Sequence, residues 1–404
     1  MKEQARAGRH LAALAMVVVA CGGRAQEASD DGSSATAGGA RTGKESGGRN
    51  DLTAGGGAGN AAGPAERAPA DTDLAGGESA NPSSTCTSSA SPEVFARPTA
   101  ITAMAMVLTA TDVFWNDGQA IRYKHKATGE SGTLRAVPEL SAGVAVDDAN
   151  VYWQNYPSLY TAPLDDSTSA IELATSASAR GWAVAGGSLV YLDDPSAAGG
   201  GSGSVGAPSK LVRVARGGGA PLASVVQPNA SAIGPFAADD TGVYFAYNGS
   251  NDPAGYGGGG RSSSTAAASG IRKLSLATGK VSDFAPVQLV VPGQLVATQG
   301  HVAFTDSAGD SVPIWVTDSD GEQRTQVATA RLVRGLALDA THVYWAASEP
   351  GREYSDIYAA PFDGGAARAV ACHVPYVYGL GVDDDHVYYF TYTENPVIAR
   401  IAKR

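Results

Sequence analysis

The chain has 404 residues, 29 basic and 40 acidic side chains and a net charge of −11, and removal of residues 1–20, which carry Lys2, Arg6 and Arg9 against Glu3, takes the charge to −13. A surface of that sign repels phosphate backbones and anionic lipid, so nucleic acid is excluded as an expected partner. Leu, Lys and Glu are sparse while Gly, Ala, Ser, Thr, Val and Tyr dominate, which predicts an all-β protein of short strands joined by turns.

At the front, a charged head (Lys2, Arg6, Arg9) precedes the apolar run LAALAMVVVA at 11–20. The run is too short to span a bilayer stably and is flanked as an export signal is. Cys21 follows it directly, and the junction Val18-Val19-Ala20-Cys21 resembles the lipobox of bacterial lipoproteins. That resemblance implies lipidation of Cys21 after cleavage behind residue 20, and anchoring to a lipid bilayer through N-terminal acyl chains without a transmembrane helix. Gly22, in place of Asp, implies the outer membrane under the enterobacterial sorting rule, so the expected location is the cell envelope. An ordinary signal peptide with a chance cysteine is the plainer alternative.

Residues 21–91 are almost entirely small or polar, with Leu52 and Leu74 as nearly the only bulky apolar side chains. Nothing there offsets the entropy of ordering, and a disordered tether is expected, with a root-mean-square span of roughly 45 to 50 Å.

From 92 to 404 one pattern recurs: an apolar alternation, a polar turn, then an apolar-aromatic-aromatic triplet. It reads AMVLTATDVFW (105–115), GVAVDDANVYW (143–153), GWAVAGGSLVY (181–191), PFAADDTGVYF (235–245), QLVATQGHVAF (294–304), GLALDATHVYW (335–345) and GLGVDDDHVYY (379–389). After a variable loop comes a third alternating run, such as SLYTAPLDD (158–166) or VIARIAKR (397–404), and in most units a fourth. Four short strands in a unit of about 40 residues are the pattern of a propeller blade, whose faces must be covered by neighbouring blades. The last unit ends on its third strand. Its missing strand is supplied from the other terminus, because EVFARPTAITAMAMV (93–107) superposes on IELATSASARGWAVA (171–185). The expected fold is a seven-bladed β-propeller of four-stranded blades closed by an N-terminal strand. Six or eight blades are the alternatives, since the insert-bearing units 3 and 4 admit another parsing.

Copies such as HVYWAASEPGREYSDIYAAPFDGGAARAV (342–370) resemble the YWTD-type repeats of receptor propellers, and the propeller lipoproteins of large-genome Gram-negative bacteria such as myxobacteria. The likeness implies architecture over roughly 93–404. It departs from the YWTD pattern after the triplet, where a recognisable Asp stands only around Asp117 and Asp306.

In propellers, the loops between second and third strands and those joining successive blades gather on one face, which normally carries function. Two Gly/Ser-rich inserts, at 193–209 and 248–269, fall in such loops, as floppy decoration or as a flap over the central channel. The same loops carry Tyr156, Arg180, Arg331, Arg334, Arg352, Glu353, Tyr354, Tyr376, Tyr378, Tyr392 and Glu394. Such a set suits an anionic or sugar-like ligand or a peptide, with a merely wet rim as the plainer reading.

The acidic pairs Asp147-Asp148, Asp239-Asp240 and Asp383-Asp384-Asp385, with Asp339, raise the question of calcium. They occupy equivalent turns of different blades, so turn chemistry explains them better and no metal is expected. His301, His342 and His386 fall at one repeat position, just before the second strand, as turn residues. Nucleophile elbow, zinc helix, phosphate loop and paired-cysteine motifs are all missing, so no cofactor is expected and enzymatic activity has no motif behind it. Cys372 ends the fourth strand of unit 6 and Cys86 leads into the strand completing unit 7, which predicts a disulfide in an oxidising compartment, against one buried and one disordered thiol. Function narrows to a monomeric, membrane-anchored, non-enzymatic module binding or scaffolding a protein, peptide or glycan, with a hydrolase or lyase at the central channel as the alternative.

Overall fold

The computed structural model describes residues 16–19 (backbone only), 86–99, 105–137, 142–193, 210–226, 232–248, 269–306 and 311–403, apart from gaps at 89, 138–141, 156, 166–168, 176, 290–291, 299, 307–310, 392 and 394. Among these residues are seven sheets, each of four antiparallel strands in meander order, with a fifth strand added to the first. The blades cover 105–136, 142–174, 177–226, 232–289, 292–330, 333–375, and 377–402 joined to 93–96. Seven is therefore the blade number, and no helix long and apolar enough to cross a membrane occurs among the described residues.

The repeated triplet has a direct physical cause. The second strand of each blade is buried on both faces, as in Asn150–Asn155 and His342–Ala347. Successive side chains of a strand point to opposite faces, so two aromatics in a row serve two different seams. Trp153 packs with Phe114 between blades 1 and 2, while Tyr152 packs with Trp182 between blades 2 and 3. The division repeats around the ring, and the seven apolar clusters are the seven inter-blade seams. Burying one such aromatic contributes about 2–3 kcal/mol.

The acidic turns belong to these seams. In blades 2, 4, 6 and 7 one carboxylate oxygen of Asp147, Asp239, Asp339 or Asp383 accepts backbone N–H groups two and three residues on, which fixes the turn into the second strand. The other oxygen of the first three accepts the hydroxyl of the tyrosine five residues on, from Tyr152 at 2.8 Å, Tyr244 at 3.0 Å and Tyr344 at 2.7 Å, and in blade 7 Tyr388 stands at the same spacing from Asp383, whose charge helps to raise its pKa. The next blade then supplies a polar group from the residue just past its third strand. Lys403 reaches Asp339 at 2.7 Å, Lys126 reaches Asp383 at 2.8 Å, and Arg216 reaches Asp148 at 3.0 Å and Asp147 at 3.7 Å. At the fourth blade Tyr244 and Lys273 both donate to the carbonyl of Ser319. In blades 1, 3 and 5 Phe114, Val190 and Ala303 stand where tyrosine would, and the next blade presents Leu164, Leu276 or Phe362 to the same seam. Polar and apolar seams thus alternate, except that polar ones flank blade 7 on both sides.

Blade 7 is closed by Glu93–Ala96, paired antiparallel with Ile398–Ala402. Phe95 enters the seam towards blade 1 and meets Tyr388 edge-on at 5.5 Å, and Arg400 forms an ion pair with Glu93. Just upstream, the Ser88 hydroxyl donates to the Val370 carbonyl at 2.7 Å. Cys86 is joined by a disulfide to Cys372 in the outer strand of blade 6, with their Cα atoms 5.7 Å apart. The strand Met16–Val19 lies against the channel-facing edge of blade 1, paired with Ala105–Leu108, and belongs to the segment read as an export signal.

Candidate functional site

Among the described residues, the face bearing the second-to-third-strand loops carries a side-chain assembly on blades 6 and 7. Arg331 and Leu332 lie in the connection from blade 5, Glu349 to Glu353 form the loop between the second and third strands of blade 6, and Tyr376 links blade 6 to blade 7. Arg331 pairs with Glu349 at 3.4 Å, both exposed. Arg334, at the start of the inner strand of blade 6, lies 4.7 Å from the ring centre of Tyr376. Its Nε is shielded from solvent without a hydrogen-bond partner among the described residues. Arg352 lies over Tyr354 at 5.3 Å and donates to its hydroxyl, and the same ring meets His373, tilted, at 4.6 Å. Tyr378 rests against Phe390.

Buried hydrogen bonds hold this rim in place. Ser348 and Ser355, both buried, are bonded at 2.8 Å, and the Ser355 hydroxyl accepts the Val377 N–H, so the loop of blade 6 is tied to the entry of blade 7. Asp356 accepts the His373 N–H at 2.7 Å. His373 and Leu332 have φ of 54° and 40°, left-handed conformations that side chains other than glycine rarely adopt. Such strain collects at sites where the surrounding structure over-determines the backbone.

Of the residues proposed from sequence for this face, Arg331, Arg334, Arg352, Glu353, Tyr354, Tyr376 and Tyr378 fall on blades 6 and 7. Arg180 lies in the inner strand of blade 3, at the repeat position of Arg334, and is not part of this assembly. Tyr156, Tyr392, Glu394 and most of both inserts lie outside the described residues. Glu349, His373 and the Ser348–Ser355 pair were missed. Their signal would have been proximity in the repeat, since each falls within two residues of a strand end on the same face.

The carboxylates with displaced pKa values sit elsewhere. Burial opposes ionisation of Asp339, yet the Lys403 ammonium and the turn N–H groups more than offset it and hold its carboxyl well below the usual range. Asp383 is lowered in the same way by Lys126. Asp117 is buried on the insert-bearing face of blade 1, and Thr99 and Arg122 outweigh its desolvation and lower it. The Arg400 hydrogen bond lowers Glu93. Burial, assisted by the paired Asp, pushes the hydroxyls of Tyr152, Tyr344 and Tyr388 far above their ordinary range. All four carboxylates are committed to seams, closure or a closed ion pair. His301, His342 and His386 open the second strands of blades 5, 6 and 7 on the opposite face. Between blades 7 and 1 a cleft of about 20 Å³, lined by Pro98, Trp115, Asn116, Phe390 and Pro396 among others, has room for a single water.

No family model matches the chain, and no curated protein matches it. Among solved structures it is similar to an oligogalacturonate lyase from Vibrio parahaemolyticus, at 10% identity and a TM-score of 0.50, over 72% of this chain and 86% of that one. It is also similar to a chain of a nidogen/laminin complex (14% identity, TM-score 0.41, 72% and 89% covered). A third is the β-propeller domain of the trilobed protease from Pyrococcus furiosus (10% identity, TM-score 0.45, 77% and 95% covered). These likenesses concern the fold alone, on which unrelated functions are grafted.

Proposed function

We propose that this chain is an exported lipoprotein of the YWTD-like propeller kind, acylated at Cys21, whose propeller is a non-enzymatic binding module displayed from the cell envelope. Its recognition surface is the insert-bearing face, and its ligand a protein, peptide or glycan. One observation carries the reading: the perturbed carboxylates are spent on structure, while that face offers arginines laid over tyrosines on a braced, strained rim. Arg and Tyr are the residues that dominate binding hot spots. The outer membrane is the proposed location, from Gly22.

Two measurements test the two halves. Labelling with a palmitate analogue should mark the wild-type chain and spare Cys21→Ser. A photo-cross-linking amino acid at Tyr376 should capture an envelope component that the same group at Thr341, on the opposite face, does not. Equal capture from both positions, or from neither, would refute the binding-face reading.

A further inference from the structure

Resting on the reading of Cys21 as the anchor, we propose that the Cys86–Cys372 disulfide is a strap: it carries tension from the tether into blade 6 and keeps it off the strand that closes the ring. A propeller fixed to a bilayer at residue 21 and bound to a partner on its insert-bearing face is pulled through the residues that precede Cys86. The closing strand Glu93–Ala96 comes next along the chain and is poorly placed to take that pull. Its ladder consists of Glu93–Arg400, Val94–Ala399 and Ala96–Ile398, with an irregularity between the last two. Its upstream end leads only to the tether, so nothing covalent stops it from sliding out. Phe95, 3% exposed in the seam towards blade 1, is its main apolar hold. The exposed ion pair of Glu93 with Arg400 adds little.

Cys372 is placed differently. It lies inside the outer strand Arg368–Pro375 of blade 6, which pairs with Tyr354–Pro361 on both sides of it, Ala371 with Ile357 before and Val374 with Ser355 after. Ala371 and Val374 are buried, and the chain continues into blade 6 one way and blade 7 the other, so this strand has no free end to draw out. A pull delivered at its middle stretches several ladder hydrogen bonds at once and drags buried side chains with them. The bond spans 286 residues, so nearly all of blades 1 to 6 lies within one covalent loop. The segment from Cys86 to Glu93 then joins two points of the same ring and bears no tension. Opening the ring would require blade 6 to yield before the closing strand is touched.

The test is optical-tweezers stretching of the mature chain between a handle on the Cys21 thiol and one on an azide-bearing residue in place of Ser158, which opens the third strand of blade 2 on the insert-bearing face. The comparison chain carries Cys86→Ser and Cys372→Ser together. The disulfide-bonded chain should first yield at a force at least about twofold higher, since more ladder hydrogen bonds are stretched together. The comparison chain should give a short first step before any blade unfolds. Phe95→Ala separates a strap from a disulfide that merely adds stability: it should lower the first-yield force of the comparison chain and leave that of the disulfide-bonded chain unchanged. Equal first-yield forces with and without the bond, or a disulfide-bonded chain weakened by Phe95→Ala, overturns the proposal. The handle replaces the acyl chains, so the forces do not depend on lipidation. Failure of palmitate labelling removes the anchor reading and with it the tension the strap would take; labelled Cys21 with the wrong forces removes the strap alone.

Discussion

Replacing Asp339 by alanine removes a carboxylate with several partners at once. It strips the Tyr344 hydroxyl of its acceptor at 2.7 Å, Lys403 of its ion pair, and the turn's Thr341 and His342 N–H groups of theirs. Tyr344 is 1% exposed, so water cannot replace the lost acceptor, and an orphaned buried hydroxyl costs about 1–3 kcal/mol. The side chains of Lys403 and Asp339 are 14% and 18% exposed, so part of the price of a broken buried pair is added. The expected loss for Asp339→Ala is about 3 kcal/mol. Tyr344→Phe leaves Asp339 paired with Lys403 and should cost about 1 kcal/mol. In the double variant the orphaned hydroxyl is gone, so its loss should fall well short of the sum of the two. Denaturant unfolding of the mature chain, with the midpoint shift read at constant slope, measures all three. A loss below about 1 kcal/mol for Asp339→Ala, or strict additivity, would refute the account of the latched seam.

Acid titration tests the same groups. The folded pKa values of Asp339 and Asp383 are depressed, so their stabilisation is present above the unfolded carboxylate value of about 3.9 and is lost as pH falls below it; the unfolding midpoint should be flat from pH 8 to 5 and drop below about pH 4. Cys86→Ser should lower stability by about 2–4 kcal/mol, and reductant should have no further effect on that variant. Gly381→Ala places a Cβ 2.6 Å from Leu108 Cδ1 across the seam between blades 7 and 1, and calorimetry should show a loss of about 1–3 kcal/mol. Glu93→Ala removes a partner that is 63% exposed and should cost less than about 1 kcal/mol by urea unfolding.

Seven units can be counted in the sequence because each second strand serves two seams, so paired aromatics such as Tyr152-Trp153 and Tyr344-Trp345 recur at the blade period. Closure is legible for a related reason: a final unit with three strands leaves a ladder unpaired, and Glu93–Ala96 carries the pattern that fits it. The latches escape a linear reading, since Asp147 is answered by Arg216 a whole blade further on. Their trace is nevertheless present, because Asp and Tyr stand five residues apart in four units and are both replaced in the other three. At the candidate site, loop position alone groups Arg331, Arg334 and Arg352 on one face. The stacking of Arg334 on Tyr376 depends on how adjacent inner strands converge, which no local pattern encodes.

The alternation of seams bears on how such a ring can change size. Removing blade 3 alone would press Asp147 and Tyr152 against Leu276, a carboxylate against a leucine. Removing blades 3 and 4 together would bring the same pair against Ser319, the residue that already faces Tyr244. The two-blade unit is therefore the module that can be duplicated or deleted without leaving a charge against an apolar neighbour. A ring grown this way keeps its odd member, the one blade whose two seams are alike, and here that is blade 7, with a charged border on both sides through Lys126 and Lys403.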